Sequence, residues 1–339
     1  MYDFHVKKLS DVLTFSGYSK YGRAALGGMR NTSETGGRDL MTLLKRKLSL
    51  TLGDKRFKDA STVAVLSYLV CFAVQSYNPL AQELVASFMM NRNGISADRH
   101  ALNLRSVPEP TLAMAAREIV KSLTWPVVIE RAAERAITDI DVGAQGELAA
   151  QILIIMATQE AEKKGATSQF FGAEDFPIIP VSSFDFLTSL GVRESFVESP
   201  DHWKIYRAWR DRLDRSFVRG VQFSKNYASF TAEYLQGRFF RANGIICKPL
   251  YQGIDGMLPL LVLDDPISSA RAMNKAPIDK GRFSHVGLQF KNRESALSDS
   301  RYEQLATTSM YSEIVLGDGV GDYNEELFYL SIVLDVGPS

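Results

Sequence analysis

Gly253-Ile254-Asp255-Gly256 and, after a turn-rich gap, Leu288-Gln289-Phe290-Lys291 are the segments around which the chain is organised, within a stretch running from Glu233 to Lys291. Met257–Leu263 reads as a strand, with Pro259 pointing to an edge or strand-start position, and Val286–Lys291 reads as the next strand. Gln289 and Lys291 are two apart, so they share one face of that strand, while Leu288 and Phe290 share the other. The polar pair then meets a ligand and the apolar pair meets a core. Asp255, flanked by glycines of little bulk, can approach a ligand from the start of the neighbouring strand.

Working outward, the helix before these strands is expected over about Lys225–Ala242, burying Ala228, Ala232, Leu235, Phe239 and Ala242 at spacings of four and three. Asn243-Gly244 is its expected stop, with glycine free to take the left-handed conformation. Glu233 lies midway along that helix and off its apolar stripe, from where it could add an oxygen. Ile245–Leu250 reads as a short strand. A helix over Arg301–Met310 and a strand over Leu327–Val336 complete the order helix, strand, strand, strand, helix, strand.

Upstream, Pro200-Asp201 opens a helix on which Tyr206, Trp209, Leu213 and Phe217 form the apolar stripe. Lys204, Arg207, Arg210, Arg212, Arg215 and Arg219 populate its other faces. Between Asp201 and Arg241 there are nine Lys or Arg against four Asp or Glu. Such a face is either a contact for a phosphate backbone or an ordinary solvated surface. Residues 165–200, with Pro177, Pro180 and Pro200, read as a connector. From Gly37 to Lys164 the periodicity is helical, and the first 37 residues, with six glycines, read as a flexible arm. That arm lacks the G-x-x-x-x-G-K-[ST] order that cradles a nucleotide phosphate.

The expected architecture is therefore α+β. An all-helical region with its arm covers 1–164, a connector 165–200, and an α/β domain with a mixed central sheet 201–339.

Composition narrows the function classes. The chain has 339 residues, 45% hydrophobic, with 39 basic and 39 acidic side chains and a formal net charge of zero, so attraction to a polyanion must come from a local patch. Two cysteines, Cys71 and Cys247, sit far apart in apolar runs and are expected as buried thiols in a reducing compartment. Four histidines at unrelated spacings offer little to a zinc site. The opening residues lack a secretory layout, which gives an intracellular expectation, cytoplasm or nucleus. Ala60–Gln82 carries no charge, but its apolar part is far shorter than the roughly 20 residues of a membrane span, so a buried helix is expected there.

Cleaving a phosphodiester calls for a divalent cation that polarises the phosphoryl oxygen, and a positive group for the charge that builds in the transition state. Magnesium takes oxygen ligands and keeps several waters, so one carboxylate and one or two further oxygens suffice. Asp255, Gln289, Lys291 and Glu233 could supply that set. A mixed sheet with ordinary polar edge residues would leave the same traces.

At these residues the chain resembles the PD-(D/E)XK nuclease superfamily, the restriction-endonuclease-like fold, over about residues 201–339. The Gln-x-Lys form is similar to that of the Mrr-like branch. More faintly, the pairing of this domain with an N-terminal region resembles the nuclease modules of Crinkler-type effector proteins. The resemblance implies a nuclease dependent on Mg²⁺ or Mn²⁺ that acts on DNA. Asp255 and Gln289 would be metal ligands, Glu233 a helix-borne acid on the same metal, and Lys291 would orient the water or stabilise the phosphorane. Lys204, Arg207, Arg210, Arg215 and Arg219 are the expected nucleic-acid contacts, and homodimerisation is an open expectation. The alternative is a catalytically degenerate module that binds nucleic acid or protein on the same fold.

Overall fold

The computed structural model describes residues 62, 65–71, 74–75, 91–95, 101–105, 110–123, 125–132, 142–164, 180–191, 210, 213–225, 231–247, 255–263, 278–293 and 328–335. They divide into two compact units, one holding the described residues of 149–220 and 224–339, the other those of 13–148 and 221–223.

The second unit is mixed. Thr62 and residues 65–67 are helical, and the run from Val65 to Val70 is buried. The chain then turns into a two-residue strand, β1 (Val74–Gln75). Strands β2 (Asn91–Ile95) and β3 (Ala101–Arg105) complete a three-stranded antiparallel sheet in the order β1-β3-β2, with a register shift between Arg92 and Gly94. These strands correct the wholly helical expectation for this region. Asn91-Arg92-Asn93-Gly94-Ile95 has neither a 3.6 nor a clean period-two pattern, because its bulge disrupts the alternation.

Helices α1 (Pro110–Leu123) and α2 (Trp125–Ala132) follow. Pro110 and Pro126 sit in their first turns, where the missing N–H has no intrahelical acceptor to lose. No helix among the described residues is long and apolar enough to cross a membrane.

Helix α3 (Val142–Lys164) carries the chain into the first unit. Its run of Ile and Leu implies burial on all sides, and Ile152, Ile154, Ile155, Ala157 and Ala161 are buried. Leu153 and Met156, however, lie on an exposed stripe that continues into the Glu160–Lys163 ion pair. The expected connector contributes β4 (Val181–Ser182) and α4 (Ser183–Ser189), whose cap is the Ser182 hydroxyl accepting from the Asp185 N–H. After β5 (Ser216–Val218) and β6 (Gln222–Lys225) come α5 (Ala232–Phe240) and β7 (Asn243–Ile246). β8 (Gly256–Val262), β9 (Phe283–Arg293) and β10 (Phe328–Asp335) complete the elements.

Seven strands form one mixed sheet. Its main path is β10-β9-β8-β5-β4, with β7 on the early part of β8 and β6 on β7. β10 runs parallel to β9, whereas β9, β8, β7, β5 and β4 pair antiparallel. The register puts Phe283 opposite Leu261 and Gly256 opposite Leu288. The Phe283 ring meets Phe239 and Phe240 of α5 edge-on at 5.6 and 5.7 Å, so the face of odd-numbered β9 residues looks toward α5. The opposite face meets α3: a Cβ on Gly220 would lie 3.7 Å from Ile154, 3.2 Å from Thr158 Oγ1 and 3.5 Å from Leu258. One helix thus covers each side of the sheet around β8, and the apolar core lies in both layers.

Two local expectations change. Helix α5 starts at Ala232, capped by the Thr231 hydroxyl, and Lys225 belongs to β6 instead; Ala232, Leu235, Phe239 and Ala242 are buried as the periodicity implies. Its stop is also different. Ala242 takes the left-handed turn at φ 50°, and Asn243-Gly244 already belongs to β7. The helix expected over 301–310 lies outside the described residues.

Candidate functional site

The early end of β8 is built around a close approach. A Cβ on Gly256 would lie 2.9 Å from the Ile245 carbonyl oxygen, so only glycine lets β7 and β8 come together there. Gly256 pairs with Leu288, and the Asp255 N–H also donates to the Leu288 carbonyl at 2.8 Å. Two residues of one strand thus face one of the other, which is the arrangement of a β-bulge and re-aims the side chain that precedes it. The Asp255 carboxylate turns onto β9, where its Oδ2 accepts the Phe290 N–H at 2.6 Å. Asp255 therefore lies at the fork where the backbones of β8 and β9 stop pairing regularly. Its carboxylate takes the place that a backbone carbonyl would hold in an unbroken ladder.

Gln289 is the residue whose peptide bond carries that N–H. It is 4% exposed, and its Oε1 is buried with no hydrogen-bond partner among the described residues. A buried amide oxygen left unpaired costs roughly 1–3 kcal/mol. One residue before the N–H that Asp255 holds, it is a donor atom available to a hard cation. Lys291 follows in the β9 backbone, paired with Val333 of β10. Gly253 and Ile254 lie outside the described residues.

Glu233 has a different setting. It sits in the first turn of α5 instead of midway, and its Oε2 is 3.1 Å from Lys280 Nζ, both side chains about half exposed. Lys280 belongs to a 3-10 turn, Lys280–Arg282, that leads into the start of β9, with Asp279 as its cap. The contact seen for Glu233 thus ties it to the turn that precedes β9.

The basic stripe does not stay helical to its end. Residues 213–215 are helical and Ser216–Val218 is β5, with Phe217 buried in the sheet. Arg219 is completely buried, and its Nη1 donates to the Phe240 carbonyl at 3.3 Å while the guanidinium lies 5.8 Å from the Phe239 ring. Burial pulls its pKa down to about 10, against the opposing pull of the Glu162 charge. The assignment of Arg219 as a nucleic-acid contact is corrected accordingly: a side chain with no exposed surface cannot meet a phosphate. Arg215 is exposed, and Arg210 is exposed over the Phe184 ring at 4.8 Å and 3.9 Å from Asp214. Lys204, Arg207 and Arg212 lie outside the described residues.

One residue beside the fork carries no signal in the sequence. The Cys247 N–H donates to the Asp255 carbonyl at 2.9 Å, which carries the β7–β8 pairing one residue past Ile246. Burial first, and the Asp255 charge second, push the Cys247 thiol up to about 12. His285, four residues before Gln289 on β9, is wholly buried, and burial pushes it down to about 4, so it is neutral at physiological pH.

The donors at the fork are hard oxygens, a carboxylate and an unpaired amide oxygen, which fits the ligand preference of magnesium or manganese. Among the described residues no group of three or more His, Cys, Asp or Glu is placed to hold a metal ion, so such a cation would keep much of its water.

A family model described as a domain of unknown function (DUF8736) matches residues 53–174, a stretch that ends before the sheet of the first unit begins. No curated protein and no solved structure matches the chain.

Proposed function

We propose that the first unit is a metal-dependent nuclease of the PD-(D/E)XK type that hydrolyses phosphodiester bonds in DNA at the β8–β9 fork. The observation that carries this reading is the Asp255 carboxylate docked on the Phe290 N–H, at the peptide bond of Gln289, whose own side-chain oxygen is buried and unpaired among the described residues. The order α5-β7-β8-β9-β10, antiparallel up to β9 and parallel at β10, supports the resemblance drawn from the sequence.

Asp255 and Gln289 would hold Mg²⁺ or Mn²⁺, which when bound supplies Lewis-acid polarisation of a phosphoryl oxygen and a more acidic water. The chain's own contributions are positional. The Phe290 N–H fixes one oxygen of Asp255 and leaves the other free. Gln289 offers an oxygen without a charge, so the cation is held less tightly than by two carboxylates. Lys291, two residues on from Gln289 in the sequence, would bring a positive group for the charge that develops on the phosphorane. Glu233 joins the site only by leaving Lys280, and a half-exposed ion pair of this kind costs at most about 1 kcal/mol to break.

Plasmid nicking by the full-length chain in Mg²⁺ or Mn²⁺ tests the reading. Lys291→Ala is expected to abolish nicking while leaving the circular dichroism spectrum and the melting temperature unchanged. Unaltered nicking in that variant would remove Lys291 from the site.

A second reading is favoured by the pairing of Glu233 with Lys280, which leaves one carboxylate at the fork. In that case the domain binds nucleic acid without cutting it. DNA retention that weakens with salt, with no cleavage in any divalent metal, would be its outcome.

A further inference from the structure

We infer that Cys247 completes, with Asp255 and Gln289, a binding site for a thiophilic divalent cation of the zinc class. The inference rests on the reading above for two of its ligands, and adds a third that places a sulfur among the oxygens.

The geometry is that of three neighbouring strands. Ile245 pairs with Met257 and Ile246 with Gly256, and the Cys247 N–H bond to the Asp255 carbonyl extends that register to Cys247 and Asp255. Met257 pairs with Gly287, and Phe283 on the same face of β9 packs against α5, so strand alternation puts Cys247 and Gln289 on that one face. Asp255 lies between them, fastened to β9 through Phe290 N–H and to Cys247 through its own carbonyl. Adjacent strands are about 4.8 Å apart, so Cys247 and Gln289 stand on the two strands that flank Asp255, one step to either side of it.

The observation that points to a ligand is separate from the cysteine. The Gln289 Oε1, on a residue 4% exposed, has no partner among the described residues, although the face it occupies carries a carboxylate and a thiol and no described donor satisfies it. A cation there would take the thiolate sulfur, a carboxylate oxygen and the amide oxygen, with the fourth position left to water, the open arrangement of three protein ligands that zinc tolerates. On binding, the sulfur–metal bond replaces the S–H bond and the proton leaves to the buffer. Softness of the sulfur selects zinc or cadmium over magnesium, which prefers an all-oxygen set. The two classes of cation would then exclude one another at Asp255.

Cadmium reports thiolate coordination through an ultraviolet charge-transfer band. The probe is Cd²⁺ added to the full-length chain carrying Cys71→Ser, in which Cys247 is the remaining thiol of the two. The band is expected to rise to one equivalent with the circular dichroism unchanged, and Zn²⁺ in excess is expected to bleach it. Asp255→Asn in the same background, which keeps the cysteine, should raise the half-saturating Cd²⁺ by at least the roughly tenfold that even an outer-shell change costs. No band, a band that grows only as the chain unfolds, or an Asp255→Asn titration identical to the parent would overturn the proposal. Nicking in Mg²⁺ is scored in parallel on the wild-type chain. A band without nicking removes the nuclease reading and keeps this site, whereas nicking without a band does the reverse.

Discussion

At Asp255 the acceptor and the charge are separable, because Asn keeps an oxygen for the Phe290 N–H and Ala does not. Asp255→Asn is expected to melt with the wild-type chain and to lose Mg²⁺-dependent nicking. Asp255→Ala should lose nicking and also about 1–3 kcal/mol of stability, measured by urea denaturation, since the Phe290 N–H is left without its bond. Equal stability of the two variants would mean that the carboxylate does not hold the fork. Asp255, Gln289 and Lys291 are legible as candidates in the sequence, since a glycine-flanked acid and an alternating Gln-x-Lys need only spacing to be seen. The local geometry at Asp255 is not. The bulge at Asp255–Gly256 and the capture of the Phe290 N–H depend on the pairing of two strands more than thirty positions apart. Cys247 is invisible as a neighbour for the same reason: in the sequence it is one more apolar residue in Ile245-Ile246-Cys247, and only the β7–β8 ladder sets it beside the carboxylate.

Among the elements, the basic helix shows where periodicity misleads. Leu213 and Phe217 are four apart and extend a helical stripe, but Ser216, Phe217 and Val218 are all buried, as a central strand requires and one side of a surface helix does not. Arg219 is carried inward by that change. Arg215→Glu is therefore expected to weaken DNA retention and to reduce the salt slope by about one for each phosphate no longer neutralised. Arg219→Ala acts on stability instead, costing about 2–5 kcal/mol as a truncation of a large buried side chain. Retention on a DNA column across a salt series, with urea melts of each variant, separates the two effects. A specific loss of DNA affinity in a fully stable Arg219→Ala chain would contradict the burial. For the helix before β7, periodicity identifies the buried residues and misplaces both ends. Thr231 caps it later than the pattern begins, and Ala242 ends it in a conformation that sequence reasoning assigns to glycine.

For the whole molecule, the α+β class and the mixed sheet of the first unit are readable from the order of helix and strand patterns. The three-stranded sheet of the second unit is not, because its strands are short, polar and bulged. Folding also sets the response to acid. His285 is buried and held down to about 4 in the folded chain, against about 6.5 when unfolded. The unfolded state therefore binds the extra proton between those values, so stability is complete above pH 6.5 and falls as the pH drops toward 4. The loss from this group reaches about 3 kcal/mol at one pKa unit per 1.36 kcal/mol. In urea melts from pH 7 to pH 4, His285→Gln should flatten that part of the profile, and an unchanged slope would assign the acid sensitivity elsewhere.

Whether the buried oxygen of Gln289 and the carboxylate of Asp255 hold a divalent cation is read from Mn²⁺ binding followed by water-proton relaxation. The comparison is between the wild-type chain and Gln289→Leu, each also melted without metal. The leucine variant is expected to bind Mn²⁺ at least on the order of tenfold more weakly. The metal-free variant is expected to be as stable as the wild type or more so, since an unpaired buried oxygen has been removed. Unchanged Mn²⁺ affinity in a folded Gln289→Leu chain would remove Gln289 from the cation site.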